Sequence, residues 1–86
     1  MENMTLRIMA VLALEDQGTA VESTVMNRVG LKQNAFEQKV IPLCDFGLVY
    51  RSVKAKSMHI SITTAGHVAL AKAYASKILN LERQEN

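Results

Sequence analysis

One cysteine, one proline, four glycines and no tryptophan leave this 86-residue chain with few of the residues that usually carry chemistry. The lone Cys44 cannot close an internal disulfide, which fits a reducing compartment, and the expected location is the cytoplasm. Beside Leu43 and Phe46 it reads as a buried small hydrophobe rather than a redox sensor. Aromatics make up only 5% of the chain, which argues against base stacking as the main binding mode, since that takes several exposed rings. Paired carboxylates, nucleophile–base spacing and a glycine-rich phosphate loop are all missing, so no enzyme is expected. His59 and His67 have no third ligand at metal-site spacing, so neither a metal site nor a cofactor is implied. The longest apolar run, Ile8 to Leu14, has seven residues against the roughly 20 of a membrane span, and no secretion signal opens the chain.

What is present is an ordinary globular composition, 49% hydrophobic and 21% charged, of a length that suits one domain. The net charge of +2 is small, but it is unevenly spread. Residues 1 to 31 carry −2, and residues 32 to 45 balance. Phe46 to Leu81 holds Arg51, Lys54, Lys56, Lys72 and Lys77 with no acid, giving +5. A cationic segment of that kind suits an anionic partner once a fold gathers it on one side.

The stretch Met4 to Leu14 predicts a first helix, broken near Gly18. Its seven consecutive apolar residues leave no polar stripe, so it must be covered on more than one side. Thr19 to Val21 is β-prone. A second helix follows to about Val29, capped by Glu22 or Ser23 and ended by Gly30. A third begins near Gln33 or Asn34, with Ala35, Phe36, Val40 and Leu43 on one side and Gly47 closing it. Two short helices joined by the tight turn Gly30-Leu31-Lys32 form a helix-turn-helix unit. Within the third helix, Pro42 removes the bond to the Gln38 carbonyl and costs up to ~3 kcal/mol unless the helix bends or ends there. Leu48 to Val53 predicts a strand, and Met58 to Thr63 alternates so that Met58, Ile60 and Ile62 share a face. Thr63 or Thr64 caps a last helix, Ala65 to about Leu81.

From Thr24 to Gly66 these elements resemble the winged helix-turn-helix DNA-binding domains of prokaryotic and archaeal transcriptional regulators, above all the multiple-antibiotic-resistance regulator type. Thr24 to Leu31 is similar to that family's second helix ending in Gly-Leu, and Lys32 to Val40 to its recognition helix. Gly47-Leu48-Val49-Tyr50-Arg51 looks like the sequence entering the wing, and Ile60 to Gly66 like the sequence leaving it. The resemblance implies an α+β winged helix with a three-helix core, a two-stranded β-wing and an additional C-terminal helix. It further implies a single domain over residues 1–86, with residues 64–81 used in dimerisation. Three features depart from the pattern, the first being Pro42 late in the recognition helix. Glu37 stands where a side chain would face DNA, and Ser52 to Ser57 lacks the family's glycine and acidic-plus-arginine wing signature, offering Lys54 and Lys56 for phosphate contact instead.

The function so implied is a sequence-specific regulator of transcription that binds double-stranded DNA, a dimeric repressor acting by occlusion. The recognition helix would supply Lys32, Gln33, Asn34, Glu37, Gln38 and Lys39. Among them the amides suit the adenine edge and the lysines phosphate or guanine. The wing would supply Arg51, Ser52, Lys54 and Lys56. A homodimer interface is expected from Ile8, Val11 and Leu12 on the first helix with Leu70, Tyr74 and Leu81 on the last, since both helices carry more apolar surface than one small core needs. No membrane association is expected, and no small-molecule effector can be read from the residues. The competing reading is a winged-helix protein–protein assembly module without specific DNA binding, favoured by Glu37 and Ile41 on the outer helix face.

Overall fold

A computed structural model describes residues 2–85 of the chain, with side-chain surroundings from Glu2 to Asn80. Helix α1 runs over Asn3–Leu14, and a short 3-10 turn, Asp16–Gly18, leads into strand β1, Thr19–Val21. Helices α2, Glu22–Val29, and α3, Gln33–Asp45, follow. Strands β2, Val49–Lys54, and β3, Ser57–Ile62, then form a hairpin, and α4 spans Thr64–Glu85. The sheet order is β1-β3-β2 with both pairings antiparallel, so β3 is central. This is a winged helix of the expected class, in which the predicted β-prone piece pairs with the wing strand, Thr19 opposite Ser61.

Helix α1 is the axis of the core. Ile8, Met9 and Leu12 have no exposed surface, and α1 packs against α2, α3, α4, β1 and β3. They meet Val25 of α2, Phe36, Val40 and Leu43 of α3, and Val49, Ile60 and Ile62 of the sheet. An all-round apolar helix is thus satisfied largely within one chain. This corrects the expected interface: Ile8 and Leu12 are spent on the monomer core and have no surface to offer a second copy.

The α2–α3 turn is closed by Gly30 at φ 74°, whose N–H and that of Leu31 both donate to the Met26 carbonyl at 2.9 and 3.0 Å. The Leu31 bond is the 6→1 bond of a Schellman end and the Gly30 bond the 5→1 bond of an αL end, and the left-handed φ suits a residue with no Cβ. Neither α2 nor α3 receives the expected side-chain cap. The residue ahead of α2 is Val21 and that ahead of α3 is Lys32, neither making a capping bond, while the Glu22 carboxylate is turned to another task described below. Pro42 does not end α3, which continues to Asp45 with the Phe46 N–H donating to the Pro42 carbonyl at 3.0 Å. The solvent-exposed position of Pro42 leaves the freed Gln38 carbonyl on the outer side of the helix.

Thr63 joins the wing root to α4. Its hydroxyl accepts from the Gly66 N–H at 3.0 Å and donates to the Gly47 carbonyl at 2.7 Å, so it caps α4 and ties down the exit of α3 together. Gly66 is pressed against that junction: a Cβ there would lie 2.2 Å from the Leu48 carbonyl oxygen.

Candidate nucleic-acid interface

On α3, Phe36, Val40 and Leu43 point inward. Positions three and four apart share a helix face, so the opposite side carries Asn34, Gln38, Ile41 and Asp45, all exposed. Nothing within the described chain covers this face. Gln33 is exposed beside it, and its amide donates to Glu37 Oε1 at 3.1 Å. Lys32, exposed, stands at the helix N-terminus, where free backbone N–H groups and the helix dipole favour an anion.

The two edges of the helix are occupied by ion pairs. On the wing side, Arg51 of β2 reaches two carboxylates. Its Nε and Nη2 donate to Glu22 at 2.6 and 2.8 Å, its Nη1 donates to Glu37 Oε2 at 3.0 Å, and its Nη2 also meets Glu37 Oε1. The Arg51 side chain is 22% exposed and that of Glu22 8%. One guanidinium fork therefore holds α2, α3 and the wing together through charge-assisted bonds. Hydrogen bonds from Arg51 hold the Glu37 carboxyl below its usual range, and those from Glu22 and Glu37 push the guanidinium higher still. On the far edge, Lys39 pairs with Glu2 ahead of α1.

These pairings revise the expected DNA contacts. Arg51 is paired with two carboxylates of its own chain, which gives its guanidinium a structural task. Glu37 faces Arg51 and does not project alone toward a duplex. Lys39 is turned toward Glu2. Glu22, taken from the sequence as a helix cap, is the buried partner of Arg51. Because 29 positions separate the two, no local pattern joins them.

The wing keeps its other cations free. Lys54 and Lys56 are exposed with no carboxylate partner among the described residues, and Ser52 is half-buried on the strand between them and the root. Lys54 pairs with Ser57, so the loop is only Ala55-Lys56, with φ of 50° and 66°. Two positive φ values in a two-residue loop are the pattern of a type I′ turn, which matches strand twist but favours Asn or Gly. His59 lies on the outer sheet face, its Nδ1 3.1 Å from the Ser57 carbonyl.

Of the remaining interface expectations, Val11 and Leu70 are half-buried and Tyr74 is 67% exposed on α4, while Leu81 lies outside the described side chains. Leu70 and Tyr74 line a groove with Leu6 and Ala10 of α1. Burial raises the Cys44 thiol above its ordinary range, which favours the protonated form. Among the described residues no group of His, Cys, Asp and Glu could hold a metal ion, and no helix is long and apolar enough to cross a membrane.

No family model and no curated protein matches the sequence. Solved structures do match the fold. YusO from Bacillus subtilis superposes with a TM-score of 0.84 at 20% identity over 95% of this chain and 59% of that one. A MarR-family transcriptional regulator from Streptomyces coelicolor gives 0.77 at 17% identity, over 91% of this chain and 54% of that one. MepR of Staphylococcus aureus in complex with DNA gives 0.78 at 20% identity, over 99% of this chain and 70% of that one. MepR is described as a transcription regulator of the multidrug efflux pump MepA. The structural neighbours thus share the fold and include a MarR-family transcriptional regulator, and this chain spans about three fifths of the length of YusO.

Proposed function

We propose that the chain is a sequence-specific regulator of transcription that binds double-stranded DNA, with α3 in the major groove and the wing on the backbone. The observation that carries this reading is the exposed outer face of α3, with Asn34 and Gln38 on it, Lys32 at its N-terminus and, on the adjoining wing, Lys54 and Lys56 with no carboxylate partner among the described residues. A helix N-terminus and flanking lysines suit phosphates while amides on the helix face suit base edges. That a structural neighbour was solved with DNA supports the same reading.

A homodimer that represses by occlusion completes the proposal. One recognition helix spans a half-site, and a twofold pair about 34 Å apart would read a palindrome. Support comes from α4, where Val68, Tyr74, Ile78 and Leu79 are exposed, and from the groove it forms with α1. The interface would use Val11, Leu70 and Tyr74. A monomeric mass by light scattering at micromolar concentration would remove the dimer.

Gel-shift titration of a non-specific duplex at low and moderate salt tests DNA binding. Replacing Lys54 and Lys56 together by Ala is expected to weaken binding to every duplex and to flatten the salt dependence by about two per protomer. An unchanged slope would take the wing off the backbone. The second reading, a protein-assembly module, is favoured by Ile41 and Phe46 exposed near one end of α3. It predicts no shift of any duplex even at low salt.

A further inference from the structure

We propose that the base pairs read by α3 are A·T pairs, with adenine recognised by Asn34 and Gln38 and a thymine methyl by Ile41; this rests on the DNA-binding reading above and specifies its substrate. The ion pairs narrow the choice. Guanine is most often read by an arginine or lysine placed over its O6 and N7 acceptors, and cytosine by a carboxylate accepting from N4. Near this helix, Arg51 is held by Glu22 and Glu37, Lys39 is held by Glu2, and Glu37 is held by Arg51. The groups suited to G·C pairs are thus drawn to the two edges. Lys32 sits at the helix N-terminus beside the phosphate-favouring dipole, and Asp45 ends the helix, beyond the N-terminal turns that recognition helices insert.

The centre of the face keeps two amides and one branched aliphatic side chain. Asn and Gln present a donor and an acceptor together, which matches N7 and N6 of adenine. Ile41 is half exposed on a face otherwise polar, and a thymine C5-methyl offers its exposed side an apolar partner. Asn34 to Ile41 covers roughly 10 Å of helix, which is about three base-pair steps. The chemistry accordingly specifies a short A·T run at the centre of each half-site.

Selection from a randomised duplex pool with the full chain tests this, followed by affinity measurements on the selected duplex. A·T pairs are expected at the central positions of each half-site. Asn34→Ala and Gln38→Ala should each cost about tenfold on that duplex and relax one position. Gln38→Arg should move the selected base toward guanine. Because both side chains are exposed, unchanged thermal melting would exclude misfolding as the cause. Two modified duplexes separate major-groove reading from a preference for narrow A·T-rich minor grooves. With 7-deazaadenine, which lacks N7, and with uracil in place of thymine, the central positions should each lose severalfold in affinity, the uracil effect disappearing in Ile41→Ala. Binding with a G·C centre, with no base preference, or with full tolerance of both modified bases overturns the A·T assignment while leaving DNA binding intact. Failure to bind any duplex at low salt overturns the underlying reading and this inference together.

Discussion

The two ends of the β2–β3 ribbon are built by different means. At the root, Val49 and Ile62 are paired and buried, Thr63 ties two chain segments together, and Arg51 is clamped by two carboxylates. At the tip, Val53 and Met58 are paired but exposed, and the loop holds two non-glycine residues at positive φ. Arg51, Lys54 and Lys56 look alike as members of one cationic run, yet the first is clamped by two carboxylates and the others have no carboxylate partner among the described residues. A cation's use is set by the carboxylates that reach it in three dimensions, not by the local charge density of the sequence.

The contrast is sharpened most by Gly66→Ala at the root. The added methyl would meet the Leu48 carbonyl oxygen at 2.2 Å and Ile62 at 2.6 Å, and neither the capped helix start nor the strand can retreat easily. A loss of about 3 kcal/mol is expected from urea denaturation, at the upper end for overpacking. A loss under about 0.5 kcal/mol would mean that the root yields and that the two ends do not differ in rigidity.

Arg51→Met comes next. It leaves Glu22 and Glu37 facing each other without their shared cation, and breaking a buried pair costs about 3–5 kcal/mol. The partial exposure of Arg51 and Glu37 reduces the expected loss to about 2 kcal/mol. The same variant should weaken binding to duplex DNA through lost alignment of α3 while leaving the salt slope unchanged, since no phosphate contact is removed. A flatter slope would return Arg51 to the set of phosphate ligands.

At the tip the sign reverses. Ala55→Asn places a residue that tolerates the left-handed region at φ 50° and should raise stability by about 0.5–1 kcal/mol, seen as a higher urea midpoint. A loss of stability would mean that the turn is held by something other than its own backbone preference.

The smallest effect is with pH. The Glu37 carboxyl titrates below the ordinary value of 4.5, as does that of Glu2, which is hydrogen-bonded by Lys39. A depressed carboxyl stabilises the fold above its unfolded pKa and loses that contribution as pH falls through the folded one. Stability should therefore decline on acidification below about pH 4.5, and in Arg51→Met the Glu37 part of that decline should vanish. An identical acid limb in both proteins would mean that Glu37 gains nothing from Arg51.

Much of the architecture was legible in local signals. Gly30 and Gly47, both at positive φ, mark the ends of α2 and α3, Thr63 marks the start of α4, and the alternation through Ile60 and Ile62 locates the buried wing strand. Met58 shares that alternation but is exposed near the wing tip, so a shared face does not carry burial along the whole strand. Helix α1 shows the same limit from the other side. Its apolar residues predict coverage on several sides, but whether one chain or two supplies it depends on the tertiary arrangement, which here uses Ile8 and Leu12 internally. The outer face of α3 could be read from helical spacing through Asn34 and Gln38. Its edges could not, because the partners Glu2 and Glu22 lie on distant elements.

The hydroxyl of Thr63 has a mechanical corollary. Since one oxygen both receives the first turn of α4 and grips the carbonyl of Gly47, α4 cannot swivel about its start without pulling on the tail of α3. The rod that follows the ribbon and the rod that faces outward beside it are therefore pinned through one shared oxygen, and a tilt imposed on the far end of one is expected to reach the other.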